Sequence, residues 1–230
     1  RSLVYGFKTI QLNSFDENKI LKSIEEHSVS LISLVPTMLR RIIKIDNDNI
    51  LKSLRGIILS GGPSSDKLMN ICIVEELPIY KSYGMTETAS GVCGFWLHKN
   101  TKKFKSVGQS FEKTNLKIKD GILWVNGPSI MIGYVGDDIV DEWYNTGDYA
   151  NIDEDEFIYI EMRREDRIVT GGENVNPSEI ESILCTHPQI KTAKVYGKDD
   201  NVWGKIVVAQ VTTSLNPDEI CQWLQGKISP

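Results

Sequence analysis

"YKSYGMTETAS" (Tyr80–Ser90) carries a ring at Tyr83, a glycine at Gly84, hydroxyls at Ser82, Thr86 and Thr88, and one carboxylate at Glu87. No apolar periodicity follows Tyr83, so the stretch is a poor piece of core. It reads as a polar turn closing the strand "LPIYKSY" (Leu77–Tyr83). Two similar units precede it. "GIILSGG" (Gly56–Gly62) predicts a buried strand with a helix over about residues 65–76. "SVSLISLV" (Ser28–Val35) predicts a strand stopped by Pro36, which opens the helix "PTMLRRIIKI". A further helix is expected over residues 14–28, with Ser14 and Glu17 at capping-box spacing and Ile20, Leu21 and Ile24 on one stripe. Strand and helix thus alternate, which predicts an α/β fold: a parallel sheet with flanking helices.

The pattern changes beyond residue 105. "LKIKDGILWVNGP" (Leu116–Pro128) alternates about Asp120-Gly121, a hairpin signal, and short strands continue to about Ile160. This predicts a small β subdomain. The charged stretch "EMRREDR" (Glu161–Arg167) marks a boundary or hinge. Past it, "NPSEIESILCTH" predicts a helix capped by Asn176 with Pro177 at its first position. "IKTAKVYG" and "GKIVVAQVTT" follow as strands and "NPDEICQWLQGKI" as a helix, together a small α+β C-terminal domain. The expected division is 1–104 as part of an α/β subdomain, 105–162 as a β-rich subdomain of the same large domain, and 163–230 as the hinge and incomplete small domain.

With 230 residues, 40% hydrophobic, 25% charged and a net charge of -5, the chain is built like a soluble globular protein. Its acidic balance disfavours nucleic acid as a partner. The basic run "KNTKKFK" (Lys99–Lys105) reads as a solvated loop. Cys72, Cys93, Cys185 and Cys221 form no CxxC pair, which fits neither a zinc site nor a disulfide framework. Three of them sit in apolar stretches and are expected as buried thiols in a reducing, cytoplasmic setting. His27, His98 and His187 lack metal-ligand spacing. No apolar run approaches membrane-spanning length, so no membrane partner is expected. "RSLVYGF" at the start shows no signal-peptide pattern and no initiator Met, and "GKISP" ends in mid-stride, so both ends are expected to be cut.

Ligands of open parallel sheets bind outside the carboxyl ends of the strands. "LSGGPSS" (Leu59–Ser65) and "SYGMTET" (Ser82–Thr88) occupy two such ends. Gly61 and Gly62 admit close backbone approach to a flat ligand, and Tyr83 offers a stacking face. Thr86 and Thr88 offer hydroxyls, and Glu87 is a hard oxygen ligand suited to Mg²⁺. Each stretch also reads as an ordinary polar loop. In "WYNTGDYA" (Trp143–Ala150), Gly147 permits a tight turn, and Asp148 at its exit could accept two hydrogen bonds from a ribose diol, or simply close a β-turn. In "RREDRIVTGGENVNPSEIE" (Arg163–Glu181), Arg163 could reach a ribose or phosphate and Gly171 and Gly172 could line a narrow passage. The alternative there is a charged linker, a glycine turn and a capped helix.

Taken in order, "SGGP", "YGMTE", "YNTGD" and the long fourth stretch resemble the adenylate-forming superfamily of acyl-CoA synthetases, luciferases and peptide-synthetase adenylation domains. The resemblance spans essentially the whole chain. Within that superfamily the chain is most similar to the o-succinylbenzoate–CoA ligases of menaquinone biosynthesis, on "SLVPTML", the doubled arginine and "TGGEN". The resemblance implies ATP, Mg²⁺ and CoA as ligands, and a small carboxylic acid as substrate. Tyr83 would stack on adenine against Gly61, Gly62 and Pro63, with Ser82 and Gly84 beside it. Thr86 would touch the α-phosphate, Glu87 would bind Mg²⁺, and Asp148 would hold the ribose with help from Arg163. Glu165 falls at the hinge position, and Gly171 and Gly172 on the loop of the pantetheine tunnel.

The chain departs from the superfamily in lacking its phosphate loop upstream and its lysine near the C-terminus. It has Met162 where a glycine is common and Glu165 where Asp or Lys is commoner. These gaps make this piece alone an expected non-catalyst. Another aryl- or fatty-acid–CoA ligase, a peptide-synthetase adenylation domain and a nucleotide-binding fragment without turnover stay open, as does homo-oligomerisation.

Overall fold

The computed structural model describes residues 6–136, 139–140, 142–163, 168–170, 173–200 and 203–228. Two compact units emerge. The first comprises Arg1–Leu116, Val125–Tyr144 and Ile152–Tyr159; the second comprises Lys117–Trp124, Asn145–Asn151 and Ile160–Pro230.

The first unit is organised by a five-stranded sheet in the order β1-β2-β3-β4-β5. Strands β1 (Leu31–Leu34), β2 (Gly56–Leu59) and β3 (Ile79–Met85) run parallel, in the register Leu34↔Leu59↔Lys81. Strands β4 (Ser90–Trp96) and β5 (Gln109–Ser110) then continue the sheet antiparallel. The parallel half follows the predicted alternation, and the antiparallel extension was not assigned from sequence.

Helices cover the sheet with the stripes that periodicity predicts. Helix α1 (Glu17–His27) buries Ile20, Leu21 and Ile24. Its cap is Asp16, whose side chain accepts from the Lys19 amide at 2.9 Å, and not Ser14. Glu17 is therefore the first helical residue, and its carboxylate instead accepts from Arg41 Nε. Helix α2 (Pro36–Ile43) starts on Pro36 as expected, and helix α3 (Asp66–Val74) is capped by Ser65. Leu39, Ile42, Ile57 and Ile79 are fully buried in the core between sheet and helices. Each such side chain contributes about 1.5–3 kcal/mol by leaving water.

Strands β6 (Asn115–Lys119), β7 (Ile122–Asn126), β8 (Tyr144–Ile152) and β9 (Ile158–Arg163) form a four-stranded sheet in that order. Asp120 and Gly121 join β6 to β7 at φ 55° and 75°, the left-handed pair that a two-residue hairpin turn requires. In the second unit, β10 (Ile168–Thr170) pairs with β11 (Glu173–Val175), and β12 (Thr192–Asp200) pairs with β13 (Gly204–Thr212), both antiparallel. Helix α4 (Pro177–Leu184) has the predicted Asn176 cap, and helix α5 (Pro217–Leu224) has a reciprocal Asn216–Glu219 capping box. Ile168, Leu184, Ile190 and Val195 form this unit's core.

Of the four cysteines only two are buried. Desolvation pushes the thiols of Cys72 and Cys93 up to about 12, which keeps them protonated. Cys185 and Cys221 are exposed, so the expectation of three buried thiols is corrected to two. Cys185 caps the end of α4, and Cys221 lies on α5, which buries no residue fully. No helix among the described residues is long and apolar enough to cross a membrane.

Candidate functional site

Strands β2 and β3 are adjacent and parallel, so their following loops open at one edge of the sheet. The structure therefore brings Gly61, Gly62 and Pro63 to the same edge as Tyr83, Gly84, Thr86 and Glu87. Gly61 sits at φ +80°, and Gly61, Gly62 and Pro63 are all exposed. A methyl built at Gly62 would meet nothing within 4 Å.

The turn after β3 is held far more tightly. Tyr83 pairs with Cys93 across the sheet, the register then slips, and Gly84 pairs with Gly91. A Cβ on Gly84 would fall 1.9 Å from the Ser90 carbonyl oxygen, so only glycine fits this crossing of two backbones. Thr86–Thr88 form one 3-10 turn, and Ala89 leaves it at φ 53°. Thr88 is buried. Its hydroxyl accepts from the Met85 amide at 3.1 Å and lies 2.7 Å from the Ser90 carbonyl. Thr88 thus fastens the turn, and Thr86 is the threonine that stands exposed. Ser82 is half-buried and donates its hydroxyl to the Cys93 carbonyl at 3.0 Å.

Behind the turn the surroundings are dry. Lys81 is buried on β3 and donates to the Phe104 carbonyl at 2.6 Å. Burial lowers its ammonium to about 8, with a smaller opposing pull from Asp66.

Glu87 is half-buried and is engaged through both its backbone and its side chain. Its carbonyl oxygen accepts from the Met131 amide at 2.8 Å, and its carboxylate accepts from the Tyr134 hydroxyl. Neither partner is a residue that sequence reasoning singled out. "GPSIMIGY" (Gly127–Tyr134) has no strong periodicity, and its tyrosine lies 47 positions from the acid it meets.

In the second unit, Asp148 is buried at 2% exposure on β8. The turn before it is built as the sequence predicts. Gly147 adopts φ +72° and donates to Asn145 Oδ1 at 2.9 Å. The Asp148 amide donates to Thr146 Oγ1 at 3.1 Å, and that hydroxyl donates to the Leu123 carbonyl at 2.8 Å. Arg163 ends strand β9 of the same unit. Glu165, Gly171 and Gly172 lie outside the described residues.

Mg²⁺ is commonly held by one or two carboxylates together with substrate phosphates and water. Glu87 at the sheet edge, its carboxylate hydrogen-bonded by the Tyr134 hydroxyl, fits that donor set. Among the described residues no three His, Cys, Asp or Glu side chains converge as a cage.

The sheet, with glycine and hydroxyl loops at the carboxyl ends of its parallel strands, is shared with a known class of enzymes. The sequence pattern of the AMP-binding enzyme family matches residues 2–135, and that of the AMP-binding enzyme C-terminal domain matches residues 179–230. The chain belongs to the AMP-binding enzyme family. Among its relatives, 2-succinylbenzoate–CoA ligase of Listeria monocytogenes serotype 4b (strain F2365) is 36% identical over 226 residues, covering 95% of this chain and 48% of the relative. O-succinylbenzoate CoA synthetase (MenE) from Bacillus subtilis, in complex with the acyl-adenylate intermediate OSB-AMP, superimposes with a TM-score of 0.91 at 31% identity. That match covers 99% of this chain and 51% of that one. The same synthetase in complex with ATP and magnesium ion gives a TM-score of 0.89 at 30% identity, covering 99% and 51%. The chain spans about half the length of the relatives it matches.

Proposed function

We propose that this chain is part of an ATP-dependent acid–CoA ligase acting on 2-succinylbenzoate, in the cytoplasmic route to menaquinone. The observation that carries the reading is the shared sheet edge of Gly61–Pro63 and Tyr83–Glu87. Its support comes from the likeness to a synthetase whose solved complexes hold OSB-AMP and ATP with magnesium.

The reaction has two steps. The substrate carboxylate attacks the α-phosphorus of ATP, pyrophosphate leaves, and an acyl-adenylate forms. The thiol of CoA then attacks the acyl carbon and AMP leaves. Tyr83 stacks on adenine, and the exposed glycines opposite leave room for a flat ring. Thr86, at the first position of the 3-10 turn, donates to the α-phosphate. Glu87 holds the metal, which when bound offsets the repulsion between carboxylate and phosphates. Asp148 accepts from the ribose hydroxyls, and Arg163 assists it. Glu165 serves as hinge, and Gly171 and Gly172 admit the pantetheine arm between the half-reactions.

The test is a substrate panel on the full-length enzyme with ATP, Mg²⁺ and CoA. 2-Succinylbenzoate should exceed benzoate and medium-chain fatty acids in kcat/KM by on the order of tenfold or more, about 1.4 kcal/mol in transition-state stabilisation. A fatty acid preferred by that margin would overturn the substrate assignment.

A further inference from the structure

We propose that Tyr134 is a positioning residue for the metal-binding acid, an inference that rests on the role given to Glu87 above. The Tyr134 hydroxyl donates to Glu87 Oε1. Three residues earlier, the Met131 amide donates to the Glu87 carbonyl at 2.8 Å. The segment 131–134 therefore grips one glutamate at both its backbone and its side chain. The first bond fixes the segment against the 3-10 turn, and the second selects a direction for the carboxylate.

Core packing does not explain where Tyr134 stands. Its residue is 57% exposed, and its neighbours Ile132 and Val135 are also exposed, at 78% and 107%. The hydrogen bond to Glu87 is a specific polar contact of this exposed side chain. The chemistry of the donor matters as well. A lysine or arginine at this place would neutralise the carboxylate and compete with a cation. A phenol orients the acid and leaves its negative charge intact. A carboxylate has about four lone-pair sites, so accepting one phenolic proton leaves capacity for a metal. Hydrogen-bond partners of this kind around metal-ligating carboxylates tune metal affinity.

The test uses calorimetric titration of the full-length protein with ATP, in EDTA and across a Mg²⁺ series. Tyr134→Phe keeps the ring and removes the donor. It should lose on the order of tenfold of the Mg²⁺-dependent gain in ATP affinity. Its affinity in EDTA and its urea midpoint should stay at the parent's values. Glu87→Gln should abolish the metal-dependent gain, and adding Tyr134→Phe to it should remove nothing further, because the two side chains act through one contact. A Tyr134→Phe variant that retains the full Mg²⁺ dependence overturns the proposal. So does one that loses ATP affinity equally with and without metal, which marks a structural tyrosine. If the parent itself shows no Mg²⁺-dependent ATP binding, the role of Glu87 falls, and this inference falls with it.

Discussion

Two glycine-bearing segments, the loop after β2 and the end of β3, stand side by side at the carboxyl edge of the first unit's sheet, and glycine occupies them for different reasons. At the end of β3, Gly84 is demanded from within, because a Cβ there would sit 1.9 Å from the Ser90 carbonyl oxygen. In the loop after β2, a Cβ on Gly62 would touch nothing within 4 Å. Gly61 is intermediate, with φ +80° and Val35 Cγ1 at 3.1 Å. One segment is a solved packing problem. The other is open space, where a side chain would meet no part of the chain. Glycine content alone therefore separates neither stability from function nor one segment from the other.

Gly84→Ala probes the contrast at its strongest. Backbone meets backbone at this position, so neither side can yield by a rotamer change. The substitution should destabilise the protein by on the order of 3 kcal/mol, read as a drop in the urea midpoint. A variant within about 1 kcal/mol of the parent would show that the slip in register can relax, and the contrast would collapse. Gly62→Ala should move stability by no more than about 0.5 kcal/mol, as surface changes do. It should nonetheless weaken ATP by on the order of tenfold if adenine lies against this loop. Loss of stability comparable to that of Gly84→Ala would place both glycines in the same structural class.

The smallest effect expected is electrostatic, in a turn that owes its shape to charge. Lys103 Nζ lies 2.7 Å from Asp153 Oδ2 and 2.6 Å from Asp155 Oδ2, and Asp153 also accepts from the Phe157 amide and the Tyr159 hydroxyl. The bond from Lys103, foremost among these, lowers the Asp153 carboxyl to about 2 from its ordinary 3.8. A depressed carboxyl stabilises the fold fully above its unfolded value, and the stabilisation is lost as pH falls through the folded value. The stability difference between parent and Lys103→Met should therefore be constant near neutrality and shrink as pH falls from about 4 toward 2. A difference that persists unchanged across that window would assign Lys103 to packing instead.

Much of this arrangement is legible locally. The α1 stripe, the Pro36 start of α2, the Asn176 cap of α4 and the Asp120-Gly121 hairpin turn each depend on contacts within a few residues. The same local logic fails where several registers satisfy one pattern. Ser14 and Glu17 have capping-box spacing, yet Asp16 takes the cap, its backbone extended and its side chain accepting from the Lys19 amide. Strand β4, "SGVCGFW", follows so closely on the Thr86–Thr88 turn that no separate signal announces it. It becomes a strand by pairing with β3. Apolar neighbours likewise misled for the cysteines, since exposure at Cys185 and Cys221 depends on which face of an element meets a core.

The sequence by itself determined which chemistry stands at the strand ends: a ring, small hydroxyls, one acid and the glycines that permit tight turns. These are properties of residue types at short spacing, fixed by local sterics and hydrogen bonding. Only the tertiary structure decided which of them stand exposed together at one sheet edge. Parallel pairing of β2 with β3 put the two loops at one edge. The 3-10 turn after β3 holds Thr88 inward and leaves Thr86 outside. A long-range contact brought Tyr134 onto Glu87. The first and the last depend on pairing between segments distant in the chain, where backbone crossings and desolvation set the energy and no short window of sequence carries the information.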